Sequence, residues 1–451
     1  MAKATNMMGP SGQLYGEVVP GNDETQFQQD NTSAQYYNSV YYKIHQKQVQ
    51  PIPPPRAGAA LQLDLADFVS PAVIGAIQAA GETLFHAVGD TGAAKGTPGP
   101  TEAASISNQG GVADAMAAEV AAGGANPPAF FFHLGDVVYN FGEGKYYYDQ
   151  FYEPYRAYDR PIFAIPGNHD GSVFGDSPDV PQTPTLTAFL RNFCSPTAGT
   201  SPDAAGLVRS LMTQPGVYFT LDAPFVSVIG LYSNVLEGPG VISSQKGHYP
   251  ITDEQIAFLT HELTRLKAAR QAGKQSIVLA LHHPPLSVDS SHGGSTGASA
   301  DIDAVCRAVG LWPDLVLSGH AHLYQRFTRR VAGRQIPYVV SGSGGFAATP
   351  PKVAAPRAPF VQGDQTLEVD PIIRFGYLTL KASATQLRVS FRSPTAGNPA
   401  GELDWVTVNL AAGTITQPSS STVAPAAAAT APAARAKAPA RKPQPPRKPR
   451  R

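Results

Sequence analysis

Between about residues 81 and 410 the chain alternates short apolar runs with longer amphipathic stretches. The apolar runs predict strands over 84–88, 129–134, 161–165, 225–231, 276–281, 314–317 and 337–340. Apolar positions at helical spacing predict helices over 112–122, 146–155, 185–193, 253–269 and 301–309. The fourth helix opens on Thr252-Asp253-Glu254-Gln255, the pattern of a reciprocal N-terminal cap. Strand and helix in turn argue for an α/β fold. Three later strand patterns, 375–381, 386–391 and 405–410, have no helices between them. The main unit, 81–410, is therefore expected to close on an antiparallel portion.

The flanks are different in kind. Residues 1–50 are polar and rich in Tyr, Gln and Asn, and Pro51 to Pro55 read as a stiff connector. Residues 1–80 are expected to form an N-terminal extension that docks partly on the main body through Tyr36, Tyr37, Tyr41 and Tyr42. Residues 411–451 carry too few large apolar groups to offset chain entropy, so they are expected to form a disordered tail. Charge sharpens this division. The 34 bases and 34 acids balance over the whole chain, but eight Lys and Arg and no acid lie beyond Pro418. The tail is basic, and the remainder holds 26 bases against 34 acids. The tail reads either as a solubilising segment or as a weak tether to anionic polymers or surfaces.

Composition excludes several classes. With 43 Gly, 42 Pro and 15% charged residues the chain is no coiled coil. No apolar run approaches the ~18 residues of a membrane span. The first 30 residues hold no continuous apolar signal region, so the cytoplasm is the default location. Cys194 and Cys306 are too few for a disulfide framework or a zinc finger.

The candidate chemistry lies where the apolar runs end. They lead into Gly89-Asp90-Thr91-Gly92, Gly135-Asp136-Val137-Val138-Tyr139, Gly167-Asn168-His169-Asp170, His282-His283-Pro284 and Gly319-His320-Ala321-His322. In open α/β sheets ligands bind beyond the carboxyl ends of strands. Singly, most of these motifs read as turns or as core histidines. Only His320-x-His322 stands out, because alternate residues on an extended segment point the same way. Five such motifs at five strand ends are a different matter. Carboxylate, amide and phenol oxygens are hard ligands, and imidazole suits zinc and iron. About seven donors exceed one tetrahedral ion and suit two ions bridged by a carboxylate and a hydroxide. His86 and His133, within their strands, read as core histidines, and His283 as structural.

In this order the motifs resemble the signature of the calcineurin-like metallophosphoesterase superfamily. Successive spacings are 46 from Asp90 to Asp136, 32 to Asn168, 114 to His282 and 38 to His320. The resemblance covers about 84–392 and implies a four-layer α/β/β/α sandwich. The superfamily's usual D-x-H would place a histidine at 92, where this chain has Gly. Tyr139 can replace that donor, and GDxG with GDxxY resembles the purple acid phosphatase branch. Residues 319–326 are similar to that branch's GHxHxYER, with Gln325 in place of Glu. Residues 375–380 are similar to its last strand. Without the resemblance Tyr139 reads as a packed strand-end aromatic.

The resemblance implies that Asp90, Asp136, Tyr139 and His322 bind Fe(III). It implies that Asp136, Asn168, His282 and His320 bind a divalent ion, Fe(II), Zn(II) or Mn(II), with Asp136 bridging. His169 would hydrogen-bond the phosphoryl group or protonate the leaving oxygen, with Asp170 orienting its ring. His292 would be a second leaving-group acid; its alternative is an exposed loop histidine. The expected activity is hydrolysis of phosphate monoesters to inorganic phosphate, of the acid phosphatase type. A second reading is a phosphodiesterase for nucleotides, nucleic acid or phospholipid head groups. A third, a metal-bearing binding protein without turnover, sits poorly with an intact His169-Asp170 pair. Substrate choice is expected to lie in the loops 92–110, 141–150, 171–214 and 234–250.

Overall fold

In the computed structural model, which describes residues 6–8, 14–16, 25–93, 102–172, 185–395 and 398–418, the apolar runs assemble into two large sheets. One has seven strands in the order Thr414–Thr416, Asn398–Asn409, Gln386–Thr395, Tyr377–Ser383, Glu82–Val88, Phe131–His133 and Ile162–Ala164. The other has nine: Phe360–Gln362, Gln365–Leu367, Tyr324–Val331, Arg334–Ser341, Leu315–Ser318, Ser276–Leu281, Val226–Leu231, Phe219–Ala223 and Gln62–Asp64.

The period-two alternation of a strand sorts the side chains between two cores. Phe85, Ala87, Phe130, Phe132 and Leu134 point inward. They meet Phe219, Leu221, Val228, Val278, Ala280 and Leu317 of the facing sheet. Val88, Phe131, Ile162 and Ala164 belong to the other core, with Val112 and Met116 of the helix Glu102–Ala122. Helix Glu254–Gln271 covers the strands Val226–Leu231 and Ser276–Leu281, and helix Thr296–Val309 packs beside it. The result is the α/β/β/α sandwich. Its C-terminal strands pair antiparallel, as the pattern predicted, and Tyr377–Ser383 lies directly beside Glu82–Val88.

Several local expectations fail for identifiable reasons. Residues 146–155 make no continuous helix; Gly144–Tyr146 and Tyr148–Tyr152 form two short turns. Pro154 cannot continue a helix, and Tyr147, Phe151, Tyr152 and Tyr155 are all buried rather than confined to one stripe. The capping pattern at 252–255 does not form, since Asp253 is the cap residue and its side chain caps nothing. Gln255 instead exchanges two hydrogen bonds with the Tyr232 backbone. Strand Tyr324–Val331 went unpredicted because Arg326 and Arg329 break its pattern. Both are buried against carboxylates, Arg326 on Asp404 and Arg329 on Asp303.

Residues 62–64, within the expected N-terminal extension, form the edge strand of the larger sheet. Tyr36, Tyr42 and Val49 form a small core with Leu236, Val241, Tyr249 and Ile251. Thr414–Thr416 still pairs in the smaller sheet. The rest of the expected tail, 419–451, lies outside the described residues, as do 94–101 and 173–184 of the predicted substrate loops. Among the described residues Cys194 and Cys306 are free and buried, and no helix is long and apolar enough to cross a membrane.

Candidate metal centre

Strands Glu82–Val88, Phe131–His133 and Ile162–Ala164 run parallel to one another. So do Val226–Leu231, Ser276–Leu281, Leu315–Ser318 and Arg334–Ser341 in the facing sheet. Parallel pairing delivers the carboxyl ends of neighbouring strands to one edge, and the five motifs meet there. The backbone is bent to bring them in. Asp90, Asp136 and His320 have φ of +58°, +55° and +67°, a left-handed conformation uncommon for residues with a Cβ. Such strain persists only where its surroundings enforce it, and it clusters at functional sites. Gly167 has no Cβ because one would strike the Asp136 carboxylate.

Two groups of donor atoms result, sharing Asp136. In the first, the Tyr139 hydroxyl lies 2.8 Å from Asp136 Oδ2, 3.1 Å from Asp90 Oδ1 and 3.3 Å from His322 Nε2. His322 Nε2 lies 3.3 Å from Asp90 Oδ1. In the second, Asn168 Oδ1 lies 3.0 Å from both His282 Nε2 and His320 Nδ1. His282 Nε2 is also 3.4 Å from Asp136 Oδ2. Asp136, His282 and His320 hold one ligand atom each within 4.8 Å of the others. All seven predicted ligands are buried and converge.

Position 92 explains the tyrosine. A Cβ there would strike Gln150 Oε1 and stand 2.7 Å from the Val137 carbonyl oxygen and 3.0 Å from Cδ2 of Tyr139. The Tyr139 ring occupies the ground a side chain at 92 would need. Phe346 stacks on that ring, 3.5 Å between centroids and 1° from parallel. Gln150 pins the Tyr139 backbone through both its N–H and its carbonyl.

The donor set fits cations. His282 Nδ1 lies 2.8 Å from the Leu134 carbonyl and so carries the proton. Its Nε2 faces two oxygen acceptors, Asn168 Oδ1 and Asp136 Oδ2, a place that a proton fills in the ion-free protein and that a cation would take over. Burial alone would lower the His282 pKa, but the Asp136 and Asp90 carboxylates outweigh it and raise it to about 9. Burial opposes ionisation of Asp136 too, yet His282 and His169 hold it far below the carboxylate range. Tyr139 is pushed well above a normal phenol by burial and by the two carboxylates. The same oxygens that repel a phenolate attract a multivalent cation. Three hard oxygens and an imidazole make a harder set than Asp136, Asn168 and two imidazoles.

The surrounding groups correct one assignment. Asp170 does not orient the His169 ring. Its carboxylate accepts hydrogen bonds from the backbone N–H groups of Val137, Val138 and Gly167, at 2.9–3.1 Å. It thereby fixes the two loops that carry Asp136 and Asn168. The His169 ring is set by the Asn140 carbonyl, 2.7 Å from Nδ1, and faces Glu237 across 3.6 Å from Nε2. Burial lowers the His169 pKa, but the Asp136 and Glu237 charges more than reverse this.

His292 is drawn into the site rather than left on an exposed loop. Its ring lies 4.4 Å from that of His320 and 5.1 Å from that of His322. Asp289 holds it, accepting from His292 Nδ1 at 3.0 Å and from the His292 N–H at 2.7 Å. Sequence reasoning missed Asp289, Glu237, Gln150 and Phe346, none of which stands in a strand-end motif. His133 and His283 are buried and hydrogen-bonded, and burial pushes each down to about 3, so both are neutral.

The calcineurin-like phosphoesterase model matches residues 84–324, more than half of the sequence. The chain belongs to the calcineurin-like phosphoesterase family. Calcineurin-like phosphoesterases use a dimetal centre, and in this chain Asp136, His282 and His320 form a possible metal-binding site. Among solved structures, the chain is similar to a purple acid phosphatase from yellow lupin (Lupinus luteus) seeds, with 14% identity over 73% of this chain and 54% of that one, TM-score 0.47. It spans about half the length of the lupin protein. GAP50, the anchor in the inner membrane complex of Plasmodium, shares 14% identity over 71% and 88% of the two chains, TM-score 0.47. PhoD shares 13% over 76% and 72%, TM-score 0.47. No curated protein sequence matches the chain.

Proposed function

We propose that the protein hydrolyses phosphate monoesters in the manner of the purple acid phosphatase branch. Asp90, Asp136, Tyr139 and His322 would hold Fe(III). Asp136, Asn168, His282 and His320 would hold Fe(II), Zn(II) or Mn(II). The observation that carries this reading is Tyr139, whose hydroxyl lies within 3.3 Å of Asp90, Asp136 and His322 while its ring fills the space beside Gly92. Two such ions supply a hydroxide nucleophile near neutral pH and offset charge on the phosphoryl oxygens. The chain's own residues do the rest. Leu134 fixes the His282 tautomer through Nδ1. His169, its ring 4.3 Å from that of Tyr139, and His292, its ring 4.4 Å from that of His320, would hydrogen-bond the phosphoryl group and give a proton to the leaving oxygen.

Metal analysis with a visible spectrum, followed by a panel of mono- and diester substrates, tests this. Expected are two ions per chain, a tyrosinate charge-transfer band, and faster hydrolysis of monoesters. A two-ion protein that hydrolyses esters without the band removes the ferric assignment and leaves the phosphoesterase. His169→Ala is expected to slow poor leaving groups more than activated aryl phosphates; equal slowing removes its proton-donor role. The second reading, a phosphodiesterase drawn to nucleic acid, rests on the eight Lys and Arg beyond Pro418. Deleting 419–451 then changes the salt dependence with DNA or RNA but not with p-nitrophenyl phosphate.

A further inference from the structure

The two loops that bring His292 and Glu237 to the site are held from outside by one stretch of the N-terminal segment. Phe27–Asn31 runs along the first loop. Gln28 and Gln29 pair in parallel with Gly294 and Ser295, immediately after His292. The Phe27 carbonyl accepts from the Ser287 N–H at 2.8 Å, and the Gln29 carbonyl from the Thr296 hydroxyl at 2.7 Å. Asn31, fully buried, accepts from the Gly297 N–H at 2.7 Å and donates to the Ser295 hydroxyl at 3.2 Å. Side chains at 293 and 294 would strike Gln29 and the Phe27 carbonyl, so the contact is close along its length. Between these anchors Val288 bridges Gly293, and the turn they close carries Asp289 and His292.

The same segment then reaches the second loop. Tyr36, Tyr42 and Val49 pack on Leu236 and Val241. At its end the Gln50 N–H donates to Asn234 Oδ1 at 3.2 Å, and Asn234 Nδ2 donates to the Gln50 carbonyl at 3.1 Å. Asn234 is buried and left-handed, with φ of +68°, three residues before Glu237.

We propose that residues 27–50 form a strap that positions His292 and Glu237 against the donor cluster, with Asn31 and Asn234 as its two clasps. This rests on the reading of His292 and His169 as groups that meet the substrate. The strap touches none of the seven proposed ligands in the hydrogen bonds above. Its loosening therefore acts on substrate handling and not on the ions. Displacing a group that contacts the reacting ester by about 1 Å can cost up to about 100-fold.

The test is a double-mutant cycle in the full chain with ion content measured. Asn31→Ala is expected to lower kcat/KM on an alkyl phosphate about 10-fold. In a His292→Ala background it is expected to cost less than about 2-fold, since a residue acting only through His292 has nothing left to move. Ion content stays unchanged. Carbethoxylation of His292 by diethyl pyrocarbonate, read by peptide mass spectrometry, accelerates in Asn31→Ala. Equal fold-losses in both backgrounds, with His292 modified at the wild-type rate, overturn the proposal. Should Asn31→Ala not fold, Asn31→Asp keeps the acceptor for Gly297 and turns the donor to Ser295 into a carboxylate oxygen; a loss with the same dependence on His292 is expected. Asn234→Ala with Glu237→Ala tests the second clasp by the same rule. If the wild type hydrolyses no phosphate ester, the functional reading fails, while the modification rates still decide the strap.

Discussion

Replacing Tyr139 by Phe removes one oxygen and almost no volume, so its effects can be assigned. In the ion-free protein the hydroxyl stands between Asp136 Oδ2, at 2.8 Å, and Asp90 Oδ1, at 3.1 Å. It is the proton donor separating two buried carboxylates. A hydrogen bond to a charged acceptor is worth about 1.5–3 kcal/mol. The ring keeps its stack on Phe346 and its packing beside Gly92, so no cavity opens. The expected cost to ion-free stability is about 2 kcal/mol, read as a lower urea midpoint for Tyr139→Phe than for wild type after chelation. The second arm is spectroscopic. With iron bound, the variant is expected to lose the visible band while retaining the second ion. A variant as stable as wild type when stripped, and as coloured when loaded, would mean that Tyr139 neither separates the carboxylates nor touches the metal. The argument from position 92 would then fall with it.

Gly92→Ala forces a Cβ against Gln150, Val137 and Tyr139 and is expected to cost about 1–3 kcal/mol by denaturant titration; an unchanged midpoint refutes the close packing. Asp170→Ala strands three buried N–H donors, so it is expected to cost about 3 kcal/mol or more and to weaken metal loading. Its effect should add to that of His169→Ala, whereas a shared role in aiming the ring would make the two redundant. Burial raises the Glu119 pKa, but the His86 imidazole 3.4 Å away, the Arg392 charge and a hydrogen bond from Tyr377 outweigh it and lower it from 4.5 to about 2. A lowered carboxylate stabilises the fold fully above its unfolded pKa, so this contribution, at most about 3 kcal/mol, is present above pH 4.5 and lost as the pH falls toward 2. Glu119→Gln should flatten the pH dependence of stability in that window, and an unaltered slope refutes it.

What the sequence determined by itself was local. Apolar runs predicted the parallel strands that carry the site. The motifs at their ends, with the resemblance they carry, supplied the seven side chains that the fold brings together, because residues delivered by strand ends are written as short contiguous words. The resemblance set the glycine at position 92 beside Tyr139 as its proposed replacement for the same reason. What only the tertiary structure decided was everything set by groups far apart in the chain. Asp170 looked like the partner of its neighbour His169, but its oxygens are taken by backbone amides, two of them, those of Val137 and Val138, more than thirty residues away. Phe346 and Gln150 hold Tyr139, and Asp289 holds His292; Phe346 and Asp289 lie in loops with no periodicity to read, and the helical spacing around Gln150 does not name its partner. Arg326 and Arg329 enter a strand only because carboxylates from Asp404 and Asp303 meet them there. The N-terminal extension reads in the sequence as a polar segment that docks partly through its tyrosines, with no sign of where. In the structure, residues 26–50 make hydrogen bonds to partners from 184 to 335 positions later, and no spacing along the chain encodes such a partner.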